Sequence, residues 1–175
     1  MIELKLIDHV LRHPKAVFAA TLTMTIIFMS CSPMLAADSA ESVDALQSRI
    51  TATSDRSTLA RLQKQLGDGY IAQDRITEAA EAYGHALEAD PDQFSSAERV
   101  QMAVYISWAD NLKRSERELR AVLAREPKHR EARTHLARVL SWQGELSEAI
   151  EEADKVLKEH PNDREALLIK ADALQ

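Results

Sequence analysis

A repeated spacing constrains this chain more than any other feature of its sequence. Pro127 and Pro161 lie 34 residues apart, and the same shift superposes Trp108 on Trp142. Each proline follows a stretch with helical spacing of apolar residues, and proline ends a helix because it lacks an N–H donor. Chance seldom places a tryptophan, a proline and several apolar positions in one register. We therefore expect repeated helical hairpins.

The shared pattern predicts three hairpin units and one further helix, at residues 60–93, 96–129, 130–163 and 164–175. Small residues are expected to let the two helices of a unit approach closely, as at Gly67, Ala79, Ala137 and Ala149. The turns hold residue types that tolerate positive φ, namely Asp74, Asp110 and Gly144. One hairpin cannot bury its apolar face alone, so neighbouring units must stack.

The pattern resembles the tetratricopeptide repeat (TPR), which has the same period. The residues that carry the resemblance are Leu66-Gly67, Tyr70, Ala79, Tyr83, Ala86 and Pro91 in the first unit, and Leu136-Ala137, Leu140, Gly144, Ala149, Val156 and Pro161 in the third. The second unit departs most, because Asp110 replaces the usual glycine and Ser115 replaces alanine. The resemblance implies an all-α fold, an α-solenoid forming a right-handed superhelix.

Residues 1–37 have the composition of a secretory signal. A weakly basic start precedes residues 16–37, which carry no charge and end in Ala36-Ala37. Cleavage after either alanine is the favoured interpretation and predicts a periplasmic or secreted protein. Two alternatives remain open. The uncharged segment is long enough for a membrane anchor, and Phe28-Met29-Ser30-Cys31 resembles a lipobox, which would make Cys31 the lipidated residue of a lipoprotein.

Residues 38–57 form an N-terminal helix or linker ahead of the repeats. Val43, Leu46 and Ile50 have helical spacing and predict a short amphipathic helix. Ser57 is the candidate N-cap of the helix that follows.

The sequence predicts neither catalysis nor a cofactor. It contains no His-Glu-x-x-His motif, no glycine-rich phosphate loop and no G-x-S-x-G motif. His135 lies on a first helix and could face a groove, although a surface or half-buried histidine is favoured over a metal ligand. The net charge of −6 argues against nucleic acid as a partner. We expect a protein that is not an enzyme and holds no metal.

The resemblance implies a concave surface lined by the first helix of each unit. The residues expected there are Lys64, Asp68, Val100, Val104, Ser107, Trp108, Thr134, Arg138, Ser141 and Trp142. This surface would be polar at both ends and apolar through its two valines, which suits an extended peptide or an amphipathic helix. One TPR subclass grips carboxylates with Lys and Asn side chains. Only Lys64 matches that clamp, and Asp68 would repel a carboxylate.

The leading hypothesis is a protein-binding scaffold in the bacterial cell envelope, with membrane contact only through its N-terminal segment. The alternative is a glycan-binding or assembly component of exopolysaccharide or outer-membrane secretion machinery. Trp108 and Trp142 would then stack on sugar rings, although packing within the repeats is the favoured role for both. Residues 136–144 resemble TPR segments of such export proteins.

A third hypothesis is that the chain is the head of a longer protein. It rests on four apolar side chains expected to be partly uncovered in the final helix, namely Leu167, Leu168, Ile169 and Leu174.

Overall fold

A computed structural model describes residues 41–174, in which all regular structure is helical. The α-helices are α1 (Val43–Ala52), α2 (Arg56–Ile71), α3 (Ile76–Ala89), α4 (Ser96–Trp108), α5 (Leu112–Arg125), α6 (Arg130–Gln143), α7 (Leu146–Glu159) and α8 (Arg164–Ala173). A short 3-10 helix, Pro91–Gln93, joins α3 to α4. The predictions for residues 1–37, Cys31 included, lie outside the described residues.

The helices pack as three hairpins, which we call unit 1 (α2 and α3), unit 2 (α4 and α5) and unit 3 (α6 and α7). Each unit stacks on the next through its second helix, so that α3 contacts α4, α5 contacts α6 and α7 contacts α8. The first helix α6 also contacts α4 and α8, and α1 packs on α2. The predicted all-α solenoid of three units and a further helix is confirmed.

The two helices of unit 1 touch at Gly67. A Cβ atom placed there would lie 2.5 Å from the ring of Tyr83, so the ring of this α3 residue rests directly on the backbone of α2. In unit 2 the close contact involves Ser115, which is fully buried and donates a hydrogen bond of 2.7 Å to the carbonyl of Ala103. The hydroxyl that replaces the usual alanine is therefore satisfied within the core.

The helix ends follow the local chemistry of the sequence. Asp74, Asp110 and Gly144 have φ values of 58°, 64° and 83°, which confirms the turns predicted at these positions. The prediction of Ser57 as the N-cap of α2 is wrong, because Asp55 occupies that position and accepts a hydrogen bond of 2.8 Å from the backbone N–H of Thr58.

An ion pair recurs within units 2 and 3 at the 34-residue shift. Arg99 of α4 pairs with Glu118 of α5 at 3.1 Å, and Arg133 of α6 pairs with Glu152 of α7 at 2.5 Å. All four side chains are largely withdrawn from solvent, so each pair links the two helices of its hairpin in a weakly screened environment. Unit 1 has no such pair, since Gln63 and Ala82 stand at the equivalent positions.

Helix α8 is buried on one side and exposed on the other. Leu167, Leu168 and Leu174 are 46%, 53% and 67% exposed, as expected from the sequence. The expectation that Ile169 is also uncovered is wrong, because this side chain is 5% exposed and belongs to a core cluster with Val156 of α7.

We predict that Gly67→Ala destabilises the protein. The added methyl group would overlap the Tyr83 ring, and overpacking of this kind costs about 1–3 kcal/mol, more than the roughly 1 kcal/mol that alanine gains over glycine in a helix. The measurement is urea unfolding followed by circular dichroism.

Gly69→Ala is the matched control on the same helix. A Cβ atom there would lie 3.5 Å from Val43, an ordinary contact, so this variant should be more stable than the wild type by about 0.5–1 kcal/mol. Equal effects of the two substitutions would contradict the close approach of α2 and α3.

Candidate partner-binding surface

The first helices of the three units each carry a stripe of residues on one face, most of them partly or fully exposed. On α4 the stripe runs through Ala97, Gln101, Val104 and Trp108, at the i, i+4, i+7, i+11 spacing of one helix face, and Val104 is its buried member. The equivalent stripe is Arg61, Gln65 and Asp68 on α2 with Ala72 just after its end, and Glu131, His135, Arg138 and Trp142 on α6. We call these three stripes together the first-helix face.

Four residues expected on this surface lie inside the protein instead. Val100, Val104, Ser107 and Thr134 are 0%, 9%, 3% and 4% exposed. Val100 and Val104 belong to a core cluster that also contains Leu119 of α5 and Leu136 of α6. The hydroxyls of Ser107 and Thr134 donate hydrogen bonds to carbonyls of their own helices. The structure thus differs from the expected groove, because these four side chains face the interior of the array.

Charged groups at the α2 end of the first-helix face are paired with each other. Lys64 Nζ lies 2.9 Å from Asp68 Oδ2, and the Tyr83 hydroxyl donates a hydrogen bond of 2.8 Å to Asp68 Oδ1. Burial, together with the charge of Asp68, strongly raises the pKa of Tyr83, which therefore remains a hydrogen-bond donor. Both predicted residues are present at the surface, but each already has a partner within the chain.

An aromatic row links unit 1 to the middle of the first-helix face. The ring centroids of Tyr83 and Tyr105 are 5.6 Å apart, and Trp108 meets Tyr105 edge-on at 5.1 Å. Trp108 is half-buried and packs against the core clusters on both sides of α4, which favours the packing role. Tyr105 was not among the residues predicted from the sequence. Its position three residues before Trp108, on the same helix face, was the available signal.

The α6 end of the first-helix face is tied to α8. Arg138 forms an ion pair with Glu165 at the start of α8 and is 11% exposed. Ser141 and Trp142 are half-buried. Of the ten predicted residues, Asp68 is the one with a largely exposed side chain.

His135 is uncharged at neutral pH. Its burial and the neighbouring charge of Arg138 lower the pKa of the imidazole to about 4. The approach of 3.9 Å to Glu131 is therefore not an ion pair under these conditions. Within residues 41–174, no group of three or more His, Cys, Asp or Glu side chains is arranged to hold a metal ion.

None of the helices within residues 41–174 combines the length and the apolar character needed to cross a membrane.

The C-terminal part of the chain is similar to a known family of repeats. The family model described as tetratricopeptide repeat matches residues 109–173, from the end of α4 to the end of α8. No curated protein matches the chain. Repeats of this family typically act as non-catalytic scaffolds that bind proteins. The matched segment supports the resemblance inferred from the repeat spacing.

We predict that His135 makes the protein less stable in mild acid. The pKa of the imidazole is about 6.5 in the unfolded chain and about 4 in the folded protein. Between these two pH values the unfolded chain therefore binds the proton more readily. The free energy of unfolding should therefore fall as the pH drops from 6.5 toward 4. His135→Gln should flatten this part of the dependence, measured by urea unfolding between about pH 7 and pH 5.

His85→Gln serves as the control for this experiment, because the His85 side chain is 62% exposed. It should leave the pH dependence of stability as in the wild type. A His135→Gln variant with an unchanged profile would show that the half-buried imidazole of His135 is not the titrating group.

Proposed function

We propose that this chain is a non-catalytic scaffold of the bacterial cell envelope, which binds a protein partner across its first-helix face. The repeat match at residues 109–173 supports a scaffold that binds proteins. The first-helix face is the proposed binding surface because its stripe of mostly exposed residues occupies equivalent positions on three stacked first helices. A stacked array presents such stripes side by side as one continuous surface.

The chemistry of the first-helix face favours a partner segment that is polar with a central apolar residue. The face combines the exposed side chains of Ala97 and Gln101 and the half-buried Trp108 on α4 with the Lys64–Asp68 pair on α2. A tryptophan whose inner edge is fixed by Tyr105 can offer its outer edge to a partner at small entropic cost. An amphipathic helix or an extended peptide fits this arrangement.

The envelope location rests on residues 1–37. Their basic start, uncharged apolar stretch and small residues before Asp38 have the order that signal peptidase requires. Export would remove Cys31 together with the signal, leaving a repeat array whose stability depends on packing alone.

The face assignment is tested with a double variant, Ala97→Glu with Gln101→Glu, in the full-length tagged chain. Both side chains are exposed, so the substitutions add two negative charges to the first-helix face. In-cell crosslinking and mass spectrometry should place wild-type crosslinks to one partner on α2, α4 and α6. Recovery of that partner should fall about tenfold in the variant, as expected when the centre of an interface is disrupted.

Ala52→Glu with Gln73→Glu is the matched control. It makes the same two chemical changes at exposed positions on α1 and in the α2–α3 turn. Partner recovery should be unchanged. Equal recovery by both double variants would refute the face assignment, and a chain that crosslinks to no protein would refute the scaffold function.

The proposed export is tested by the mass of the chain purified from its native host. We expect a mature protein that begins at Asp38 or Ala37, because these follow the two candidate cleavage sites. A chain that retains Met1 would indicate an uncleaved anchor, and a lipid-bearing N-terminal Cys31 would indicate a lipoprotein.

A further inference from the structure

A cavity of about 250 Å³ opens at the edge of unit 3, where the α5–α6 loop and the start of α6 meet the end of α7. Its lining residues are Pro127, Lys128, Arg130, Arg133, Lys155, Val156, Lys158, Glu159 and His160. Five of these side chains are Lys or Arg and one is acidic, in a chain whose net charge is −6. We call this cavity the cationic pocket.

Three of the five cations already have acidic neighbours. Arg133 and Lys155 donate hydrogen bonds of 2.5 and 2.6 Å to the carboxylate of Glu152, and Arg130 lies 3.6 Å from Asp163.

The other two cations are available to a ligand. Lys128 and Lys158 are exposed, and neither has an ion-pair partner among residues 41–174. One comes from the α5–α6 loop and the other from the end of α7, while Pro127 and Val156 contribute apolar surface. The pocket therefore offers two positive charges beside an apolar lining.

Unit 2 shows that folding does not require these cations. A shift of 34 residues aligns positions of the cationic pocket with residues of unit 2 that carry no positive charge. The aligned pairs are Lys128 with Phe94, Arg130 with Ser96, Lys155 with Ala121, Lys158 with Ala124 and His160 with Glu126. Unit 2 nevertheless forms the same hairpin, with the equivalent internal ion pair between Arg99 and Glu118. The concentration of positive charge is thus specific to unit 3 and independent of the repeat architecture.

We propose that the cationic pocket binds carboxylate side chains of an acidic peptide segment, an inference that rests on the proposed role as a protein-binding scaffold. Ammonium groups pair well with carboxylates, and the cavity has room for one or two side chains rather than a folded domain. Nucleic acid is disfavoured as the ligand because its recognition needs an extended basic surface, which this acidic chain lacks. The pocket is lined by the α5–α6 loop, the start of α6 and the end of α7, so its lining residues are distinct from those of the first-helix face.

The test uses the full chain and a blocked, fluorescein-labelled oligoglutamate peptide, with oligoglutamine as the neutral probe. Binding is measured by fluorescence anisotropy. Oligoglutamate should bind the wild type, and its affinity should fall with added salt. Its affinity for the double variant Lys128→Gln with Lys158→Gln should be at least about fivefold lower, as the loss of two partly exposed ion pairs implies.

Lys113→Gln with Arg117→Gln is the charge-matched control. Both side chains are well exposed on the first half of α5, and the variant removes the same two positive charges from the chain. Its affinity for oligoglutamate should equal that of the wild type.

The proposal is overturned if the two double variants bind oligoglutamate equally, or if oligoglutamate and oligoglutamine bind the wild type alike. It is also overturned if inorganic phosphate binds the wild type and oligoglutamate does not. Such failures would leave the first-helix face unaffected, because that assignment is tested by substitutions on α4 and by partner capture.

Discussion

The fold depends on how closely two helices can approach within one hairpin. In unit 1 the ring of Tyr83 lies on the backbone at Gly67, and in unit 2 the hydroxyl of Ser115 reaches the carbonyl of Ala103. Larger side chains at these contacts would separate the helices and open the apolar interior to water. Because each unit presents its second helix to the next, the spacing inside one hairpin also determines how the following hairpin packs.

Polar interactions distinguish units that share this packing. Units 2 and 3 each carry the Arg–Glu pair between their helices, whereas in unit 1 the hydroxyl of Tyr83 on α3 donates a hydrogen bond to Asp68 on α2. Unit 3 adds an excess of positive charge around the end of α7, next to a carboxylate already neutralised by two cations. The same backbone architecture therefore supports surfaces of different chemistry along the array, and function is a property of each unit's surface rather than of the fold.

Local chemistry made much of the fold predictable. Positive φ at Asp74 and Asp110 followed from residue type, and the spacing of Val43, Leu46 and Ile50 correctly indicated α1. The candidate surface was harder to predict, because a repeat pattern describes one hairpin while burial depends on its neighbour. Val100 matched a groove position in its own unit, yet it is fully buried in a core cluster that includes residues of α5 and α6. The cationic pocket also escaped prediction, since it joins residues nearly a full repeat apart in the sequence.

The segment between α3 and α4 is two residues longer than the segment between α5 and α6. Both additional residues, Phe94 and Ser95, make defined contacts. Phe94 is buried in the core, and Ser95 exchanges hydrogen bonds with Glu98 to cap α4. An insertion that supplies both a buried apolar side chain and a helix N-cap does not shift the pattern of buried positions within the helices on either side. Linkers of this composition are therefore suitable places to lengthen such arrays by design, or to graft a foreign hairpin between existing ones.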